Sequence, residues 1–441
     1  GHEERVNPKR CPLGYCCNAA RCAVGTCAPG RDPTVPLCGA CLPGWTQSLS
    51  APSCVLPSHC NDGAWFWPVA LVTILLYVLI AMFPPFSGNG QSCYIGIAIF
   101  YYQNALLING VSLSASKGWH AVALVFNLDV SAPGQHVTGS ICVDKHMTTL
   151  GRLVLPLLWP VTALCFAGLL YVLVRFSKIN QLTSRLSFGG GLTRLGVFFF
   201  TSVTSTILRL LNCSDQTRLF YAAGVRCYSA YTWWQFLLWP LVVLVLLPSP
   251  WLVFRLTRRL SLKTDRFSTD VKLVLASDYT PTKDYWRSVT LARRFAFSCT
   301  HSLLAAFPLV QSLMFSGLSV GFLAHTVAAR PYIQRYGNLA ELATMACLVT
   351  LSATAIIQAT LLVGDSTDDS LSFGFITPCQ SVFFWSPLPL LVISQVATWK
   401  SRFRVKDLFP KLKARFENSR AENSRTDISG ESLKSVLLSS E

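Results

Sequence analysis

Residues 233–254 read WWQFLLWPLVVLVLLPSPWLVF, and RLTRR follows directly at 255–259. The first stretch has 22 residues and no charge. A helix needs roughly 20 such residues to cross the hydrocarbon core of a bilayer. Because lipid offers no hydrogen bonds to the backbone, a run of this kind is expected to be helical. The arginines behind it mark the end that stays in the cytosol. This stretch therefore predicts a membrane helix and its direction.

Eight further stretches have the same character, which predicts an all-α polytopic membrane protein with about nine transmembrane helices. The sixth stretch is short and meets the seventh at Pro308, so these two form either separate spans or one hairpin. The predicted spans are Trp65–Phe83, Tyr94–Leu113, Leu153–Val174, Leu195–Leu211, Trp233–Phe254, Arg294–Phe307, Leu309–Ala329, Leu339–Val363 and Ile376–Trp399. They divide the chain into a cysteine-rich extracellular module (1–63), a helical bundle (64–399) and a basic, then disordered, cytosolic tail (400–441).

Lysine and arginine are distributed unevenly between the predicted connections. With the amino terminus outside, 25 of the 37 Lys and Arg residues lie in cytosolic segments, whereas the outer loop 364–375 has three Asp residues and no cation. Cationic residues near spans stay in the cytosol, so topology explains the net charge of +16. A nucleic-acid-binding protein would carry such charge on one soluble face. We expect a plasma-membrane protein with its carboxy terminus in the cytosol and no nucleic-acid partner.

Nine of the 17 cysteines precede the first predicted span. A short segment rich in Cys, Pro and Gly is typical of disulfide-stapled modules in oxidising compartments. We predict that Cys213 pairs with Cys227 and that Cys142 takes the odd cysteine of the module. The residues expected in disulfides are Cys11, Cys16, Cys17, Cys22, Cys27, Cys38, Cys41, Cys54, Cys60, Cys142, Cys213 and Cys227. The residues expected as free thiols at or within the membrane are Cys93, Cys165, Cys299, Cys347 and Cys379.

Signals for catalysis are weak. The chain has no His-x-x-x-His pair and no paired intramembrane Asp, and we expect no enzymatic activity, no cofactor and no metal. A zinc site at Cys38-x-x-Cys41 is the alternative for that motif, but it lacks a second pair of ligands. The chain opens at Gly1 without a hydrophobic signal region, so we expect it to be the carboxy-terminal part of a longer precursor.

Several short motifs are spread along the chain. They are Cys11-Pro-x-Gly-Tyr15-Cys16-Cys17, Leu37-Cys38-Gly-x-Cys41-x-x-Gly44-Trp45, Trp65-Phe66-Trp67-Pro68, Tyr101-Tyr102-Gln103, Arg209-Leu-Leu-Asn-Cys213, Tyr285-Trp286-Arg287, and Arg330-Pro331-Tyr332 with Asn338-x-x-Glu341. Together they resemble the carboxy-terminal region of large surface proteins of invertebrates and protists, in which a cysteine-rich stalk precedes a TRP-like multi-pass domain. A fainter resemblance extends to fungal TRP-like, flavin-carrier-type membrane proteins. The resemblance implies a nine-span bundle at the cell surface with a channel or sensory role, and it supplies no pore residues.

Polar residues inside the predicted spans are the candidate site residues, because a central charge costs about 2.5–3.5 kcal/mol on insertion scales. They are Gln103, Asn104, Arg209, His325 and Glu341. Two interpretations stay open. Either they line a hydrated path through the bundle, or they form interhelical hydrogen bonds worth about 0.6–2 kcal/mol each. Arg209 also lies near enough to the outer interface to reach the headgroups.

Glu341 has a specific structural interpretation. Asn338 stands three residues before it, which is the spacing of an N-cap with an acid at the third helical position. Arg330 and Arg335 are close enough in sequence to pair with it. We therefore predict a capping box at this helix start.

Two groups of glycines have predicted structural roles. Gly317-x-x-x-Gly321 predicts close packing between helices within the bundle. Gly189-Gly190-Gly191 lacks the Lys-Ser/Thr of a phosphate-binding loop and predicts a flexible hinge before a span.

The tail starts with basic residues interleaved with Phe and Leu. The residues expected to face lipid are Arg402, Arg404, Lys406, Lys411 and Lys413. Such clusters attract anionic phospholipids at about 1 kcal/mol per cation. They equally serve as plain topological anchors, and the sequence favours neither interpretation.

The first functional hypothesis is a channel-like or sensory (TRP-like) bundle coupled to a cysteine-rich ectodomain. The alternative is a non-conducting adhesion or anchor receptor, which predicts that Arg209, His325 and Glu341 contact protein side chains. A lipid or small-molecule transporter is the third option. It would have a lateral cleft and inverted repeats, and no convincing repeat is found in the sequence.

Overall fold

The computed structural model describes residues 11–12, 15–16, 26–48, 54–62, 66–82, 92–108, 140–142, 147–176, 187–214, 217–260, 265–363 and 369–402. The chain forms two compact units, Gly1–Pro389 and Leu390–Glu441. The first contains the cysteine-rich module and nearly all helices. In the second, residues 390–402 complete the last helix. Arg404, Lys406, Lys411 and Lys413 lie outside the described residues.

The chain is mostly helical. The helices are α1 (Phe66–Met82), α2 (Ser92–Ile108), α3 (Thr149–Val154), α4 (Leu158–Phe176), α5 (Phe188–Leu211), α6 (Trp234–Leu241), α7 (Ser249–Leu260), α8 (Arg266–Ala276), α9 (Trp286–Leu303), α10 (Pro308–Ala329), α11 (Arg335–Val363), α12 (Asp369–Trp385) and α13 (Pro387–Arg402). A 3₁₀ turn at Leu155–Leu157 joins α3 to α4. A π-helical segment, Val242–Leu246, follows α6, whose Pro240 cannot donate a backbone hydrogen bond.

Helices form at all nine predicted span positions. Two of them, Trp67–Met82 and Cys93–Ile108, are apolar but short. Within the described parts of the chain, six stretches are long and apolar enough to cross a membrane: Thr149–Val174, Phe188–Leu211, Trp234–Leu260, Pro308–Ala329, Arg335–Thr360 and Pro378–Val396. Helix α6 and the segment after it expose large apolar side chains, with Leu237 60% and Leu244 69% accessible. These features indicate membrane association.

The sixth predicted span, Arg294–Phe307, is wrong in its boundaries. Helix α9 runs from Trp286 to Leu303, so it begins before the predicted span and includes Arg287 and Arg293, which the sequence analysis assigned to the preceding connection. Hydropathy misplaces this start because α9 packs against α2, α5, α7 and α10 and buries its arginines among them. The helix is therefore an interior element of the bundle.

The main apolar core lies between α2, α9, α10, α11 and α12. Phe297 of α9 is fully buried, and its ring stacks on Phe315 of α10 at 5.8 Å between centroids. The same cluster takes in Phe100 of α2, Leu348 of α11 and Phe384 of α12. Burying aromatic rings of this size supplies a large share of the packing energy of such a core.

The module is a small disulfide-linked segment. Its described residues contain the bonds Cys11–Cys16, Cys27–Cys38 and Cys41–Cys54. Strands β1 (Thr46–Gln47) and β2 (Cys54–Val55) pair in antiparallel fashion. Strand β3 (Cys60–Asp62) pairs in parallel with β4 (Ser140–Cys142), which belongs to the connection between α2 and α3. The remaining sheet, β5 (Arg218–Leu219) with β6 (Ala222–Arg226), precedes α6.

The cysteine predictions are largely confirmed. Cys213 is bonded to Cys227, and Cys142 is also in a disulfide. Among the residues that the structure describes, the free thiols are the five predicted ones: Cys93, Cys165, Cys299, Cys347 and Cys379. Cys17 and Cys22 lie outside the described residues, and β3 begins at Cys60. The disulfides indicate an oxidising, extracellular environment for the module.

Both glycine predictions are wrong. Gly189, Gly190 and Gly191 form the buried first turn of α5 and not a hinge, because their missing side chains admit α1 and α8. A Cβ on Gly191 would lie 2.4 Å from Met82 Sδ. Conversely, a Cβ on Gly317 or Gly321 would meet nothing within 4 Å, so these residues form no close packing with the described part of the chain.

Candidate functional site

Two arginines are buried side by side in α9. Arg293 and Arg294 are each 1% exposed. A guanidinium keeps its charge in a protein, and a buried charge must be paired or hydrogen-bonded. The partners of these two side chains therefore define the chemistry of the bundle interior.

Arg293 forms a buried ion pair with Glu341 of α11. The distance from Nη1 to Oε1 is 2.9 Å, and the side chains are 1% and 6% exposed. Arg293 Nη2 donates to Thr326 Oγ1 of α10 at 3.1 Å. Its guanidinium also lies 4.8 Å from the Trp286 ring centroid. One side chain thus links three helices through charge-assisted bonds and a cation–π contact.

The predicted capping role of Glu341 is wrong. Helix α11 begins at Arg335, so Asn338 lies inside it. The Asn338 side chain instead accepts from the Tyr332 amide at 3.0 Å and donates to the Tyr332 carbonyl at 2.8 Å. Glu341 is consequently free to pair across the bundle with Arg293, and neither Arg330 nor Arg335 forms a described ion pair with it.

His325 lies at the edge of this group. Its Nδ1 is 3.5 Å from Arg293 Nη2, at the limit of a hydrogen bond. The imidazole centroid is 4.9 Å from that of Trp286. His325 is exposed, whereas Trp286 is fully buried. The group therefore reaches the surface of the bundle at His325.

A second ion pair joins α9 to the connection before it, and a neighbouring β-bridge reaches the connection before α11. Arg287 Nη2 lies 3.6 Å from Asp278 Oδ2, and the side chains are 10% and 2% exposed. Tyr279 and Tyr332 form a β-bridge, and burial raises the pKa of Tyr279 to about 12. Burial also raises the pKa of Tyr332, because the charged phenolate is disfavoured away from water. These connections form one compact, largely buried layer.

Arg294 has no acidic partner among the described residues. Its Nη1 donates to the Val197 carbonyl of α5 at 2.6 Å. The Phe100 ring lies 5.9 Å from its Cζ atom. A backbone carbonyl and an aromatic face partly satisfy the guanidinium, but they do not neutralise it.

A further polar group lies near the carboxy-terminal ends of α5 and α9. Arg209 Nη2 lies 2.7 Å from His301 Nε2, and His301 Nδ1 lies 2.9 Å from the Leu107 carbonyl. Because a carbonyl accepts only from a protonated nitrogen, we assign the proton to Nδ1, which leaves Nε2 to accept from Arg209. Asn212 Nδ2 donates to the Ser302 carbonyl at 2.6 Å. Arg209 therefore contacts protein, and the interhelical interpretation fits it.

The predicted residues of α2 are also hydrogen-bonded. Gln103 Nε2 donates to the Phe198 carbonyl at 2.9 Å, and its Oε1 accepts from Thr201 at 3.0 Å. Asn104 Nδ2 donates to the Phe100 carbonyl of its own helix at 2.6 Å. Gln103 thus links α2 to α5, whereas Asn104 stays within α2.

Sequence reasoning missed several site residues. It treated Arg293 as part of a cytosolic connection, although Arg293 is the partner of Glu341. It also overlooked Gln358 and Gln380, whose side chains form a 3.1 Å hydrogen bond between α11 and α12. A polar residue in a predicted span was the available signal for both glutamines.

The module is fastened to the connections that lead into α3 and α6. The Tyr15 hydroxyl donates to the Tyr221 carbonyl at 3.0 Å, and the backbone N–H of Gln47 donates to the Met147 carbonyl at 3.1 Å. A Cβ on Gly39 would lie 2.4 Å from the Ala223 amide nitrogen. With the β3–β4 pairing, these contacts join the module and the bundle in one compact unit.

A buried arginine holds the module together. Arg31 donates to the Cys38 carbonyl at 2.8 Å and to Gln47 Oε1 at 3.0 Å, and its Cζ lies 3.4 Å from the Tyr15 ring centroid. Burial lowers the pKa of Arg31 to about 10, because desolvation disfavours the charged form. At neutral pH the side chain is charged and bonded.

Two chemical alternatives do not fit the geometry. Cys38 and Cys41 are both in disulfides, which is incompatible with the zinc alternative, since zinc binds thiolates. The sulfurs of Cys11, Cys16 and Cys38 cluster within 4.8 Å, yet all three are oxidised. Residues 317–321 read GLSVG, the letters of a hydrolase nucleophile elbow. They lie inside α10 and not on the strand–turn–helix that this motif requires.

Comparisons of the chain with protein-family models, with curated proteins and with solved structures find no match. The resemblance to TRP-like surface proteins therefore remains a prediction.

Proposed function

We propose that the chain is a multi-pass protein of the cell surface whose nine helices cross the bilayer, with the disulfide-linked module outside and the basic segments in the cytosol. In this proposal the bundle is sensory and is coupled to the module. The observation that carries the coupling is the junction, where Tyr15, Gly39 and Gln47 contact the connections that enter α3 and α6.

The charge pattern supports the orientation. The exposed arginines at the end of α7 lie at the opposite end of that helical stretch from the Cys213–Cys227 loop. Lys and Arg near spans favour the cytosol, whereas disulfides form outside it. Both signals agree on one direction for the segment Trp234–Leu260.

The interior contacts favour sensing over steady conduction. Arg209, His325 and Glu341 each contact a protein side chain, as the non-conducting alternative predicts. Groups paired in this way stabilise one arrangement of helices, and breaking a pair shifts the bundle toward another. We infer that the Arg293–Glu341 pair is formed in the arrangement of helices described here and broken in the second arrangement that sensing requires.

Conduction is the second candidate function. It is favoured by buried polar atoms without a hydrogen-bond partner on α9 and the helices packed against it: Asn104 Oδ1, Thr204 Oγ1, Ser298 Oγ and Ser319 Oγ. Each such atom costs about 1–3 kcal/mol. A wider arrangement of the helices would let them contact permeant ions or water.

The coupling is tested by disturbing the junction alone. Gly39→Val pushes a side chain against the Ala223 backbone, whereas Gly224→Ala adds a methyl with its nearest neighbour at 3.6 Å and serves as the control. Hydrogen–deuterium exchange of the full chain in nanodiscs is expected to speed up in α9 for the first variant only. Faster exchange confined to the module and to residues 218–226 would contradict the coupling.

Ion flux from proteoliposomes separates the two candidate functions. The sensory proposal predicts no steady flux above that of empty liposomes for the unmodified chain. A steady flux that changes its ion selectivity in Glu341→Gln would support conduction instead.

A further inference from the structure

Helix α7 carries an exposed basic face next to an exposed apolar one. Arg255, Arg258 and Arg259 are all exposed. On the same helix Trp251 and Leu252 are 55% and 47% exposed. Thr257 and Leu260 form the buried side, and Leu260 packs on Val271 and Leu275 of α8. The helix is thus fixed by one side and presents the rest outward.

The arginines lie against aromatic rings. Arg255 Cζ is 4.9 Å from the Trp251 ring centroid, and Arg258 Cζ is 4.6 Å from that of Phe254. Each pair has the i, i+4 spacing that brings side chains together on a helix. Such stacking holds a guanidinium in place over an aromatic face.

Acidic residues are absent from the sequence of this helix and from the residues just before and after it. The sequence has no Asp or Glu from Trp233 to Thr264. The first acid, Asp265, caps α8 by accepting from the Ser268 amide at 3.1 Å. Within the part of the chain that the structure describes, neither Arg255 nor Arg259 forms an ion pair. The face is therefore a concentrated positive surface that favours an anionic partner.

The apolar side chains decide the class of partner. A soluble polyanion would contact the arginines and leave Trp251, Leu252 and Leu256 in water. A lipid meets both, because its phosphate faces the guanidiniums and its acyl chains cover the apolar side chains. The change from exposed apolar to exposed basic residues within one helical turn matches the boundary between hydrocarbon and headgroup.

We propose that the Arg255–Arg258–Arg259 face of α7 binds the headgroups of anionic phospholipids, with multivalent phosphoinositides bound most tightly. This inference rests on the proposed membrane embedding. It assigns a lipid site to a segment distinct from the basic tail after Trp399.

The test measures binding of a short-chain phosphatidylinositol 4,5-bisphosphate to the full chain in nonionic detergent. Arg255→Gln with Arg259→Gln is expected to weaken binding about 25-fold, since each cation near the surface contributes roughly a factor of five. The double lysine variant keeps the charge and is expected to stay within about threefold of the unmodified chain. Arg226→Gln, at an exposed cation before α6, is the matched control and should change nothing.

Further binding measurements distinguish a lipid headgroup from a soluble phosphate-bearing molecule. Short-chain phosphatidylcholine should bind at least tenfold more weakly. Equal binding of soluble inositol trisphosphate or of an oligonucleotide would overturn the lipid assignment, as would an unchanged affinity in the double glutamine variant. A photoactivatable analogue bound to the unmodified chain should cross-link within residues 249–260, and cross-links elsewhere alone would also overturn it. Extraction of the chain by alkaline carbonate would refute the membrane proposal itself, whereas an embedded chain without lipid selectivity would refute only this inference.

Discussion

The buried Arg293–Glu341 pair leads to a specific prediction about the free energy of unfolding. Glu341→Leu leaves a permanently charged guanidinium, with 1% of its side chain exposed, without its carboxylate. Breaking a buried pair in this way costs about 3–5 kcal/mol. Because Thr326 still accepts from Nη2 at 3.1 Å, we expect the lower end of that range. Arg293→Met should cost about 1–2 kcal/mol, because a carboxyl left alone is able to take up a proton.

The double variant decides whether this reasoning is right. Replacing both partners by apolar residues of similar size is often neutral, so Arg293→Met with Glu341→Leu should lie within about 1 kcal/mol of the unmodified chain. The double-mutant cycle then gives a coupling of about 3–5 kcal/mol. Reversible unfolding in mixed micelles, followed by tryptophan fluorescence, measures all four proteins. Single-variant costs that simply add, or a cost below about 1 kcal/mol for Glu341→Leu, would refute the account.

Two further predictions concern tight packing and titration. Gly191→Ala should lower the free energy of unfolding by about 1–3 kcal/mol, because the added Cβ would lie 2.4 Å from Met82 Sδ. Gly196→Ala, in open space on the same helix, should instead raise it by up to about 1 kcal/mol. Thermal unfolding of the two variants measures the difference. Since the buried Tyr279 has a pKa of about 12, its contribution to stability should hold below about pH 10 and fall as the pH rises toward 12, because the unfolded chain loses that proton first. Tyr279→Phe should flatten this fall, whereas Tyr231→Phe, at a side chain 93% exposed, should not.

Each of these two predictions has a result that would contradict it. Equal effects of the two glycine substitutions would mean that the α1–α5 contact is not close. An alkaline profile unchanged by Tyr279→Phe would mean that the layer between Tyr279 and Tyr332 is accessible to water.

Helices, one disulfide and the free thiols could be predicted because a local property of the sequence determines each of them. The apolar run at 233–254 is long enough to be a helix in any context, and Trp234–Leu260 is helical or π-helical nearly throughout. The Cys213–Cys227 bond follows from two cysteines in one short outer connection. The five free thiols follow from their position in apolar runs.

Features that depend on a partner elsewhere in the chain were not predictable in this way. The sequence around Glu341 suggests a cap, but the ion pair depends on Arg293, which is 48 residues away. The three glycines at 189–191 look flexible until α8 and Met82 pack onto them. Arg293 and Arg294 stand at the start of a predicted span in the sequence, yet α2, α5 and α10 pack against their helix in the fold. Local rules cannot supply these partners.

The central claim is that the chain crosses the membrane with its disulfide-linked module outside the cell. Accessibility of single introduced cysteines in intact cells tests this claim most directly. Tyr231→Cys places a thiol at a 93% exposed position before α6, and Lys272→Cys places one at an exposed position on α8. With a membrane-impermeant maleimide, we predict that the first is labelled in intact cells and that the second is labelled only after permeabilisation, with the unmodified chain as background. Labelling of Lys272→Cys but not of Tyr231→Cys in intact cells would invert the orientation, and labelling of both would contradict a chain that crosses the membrane between them.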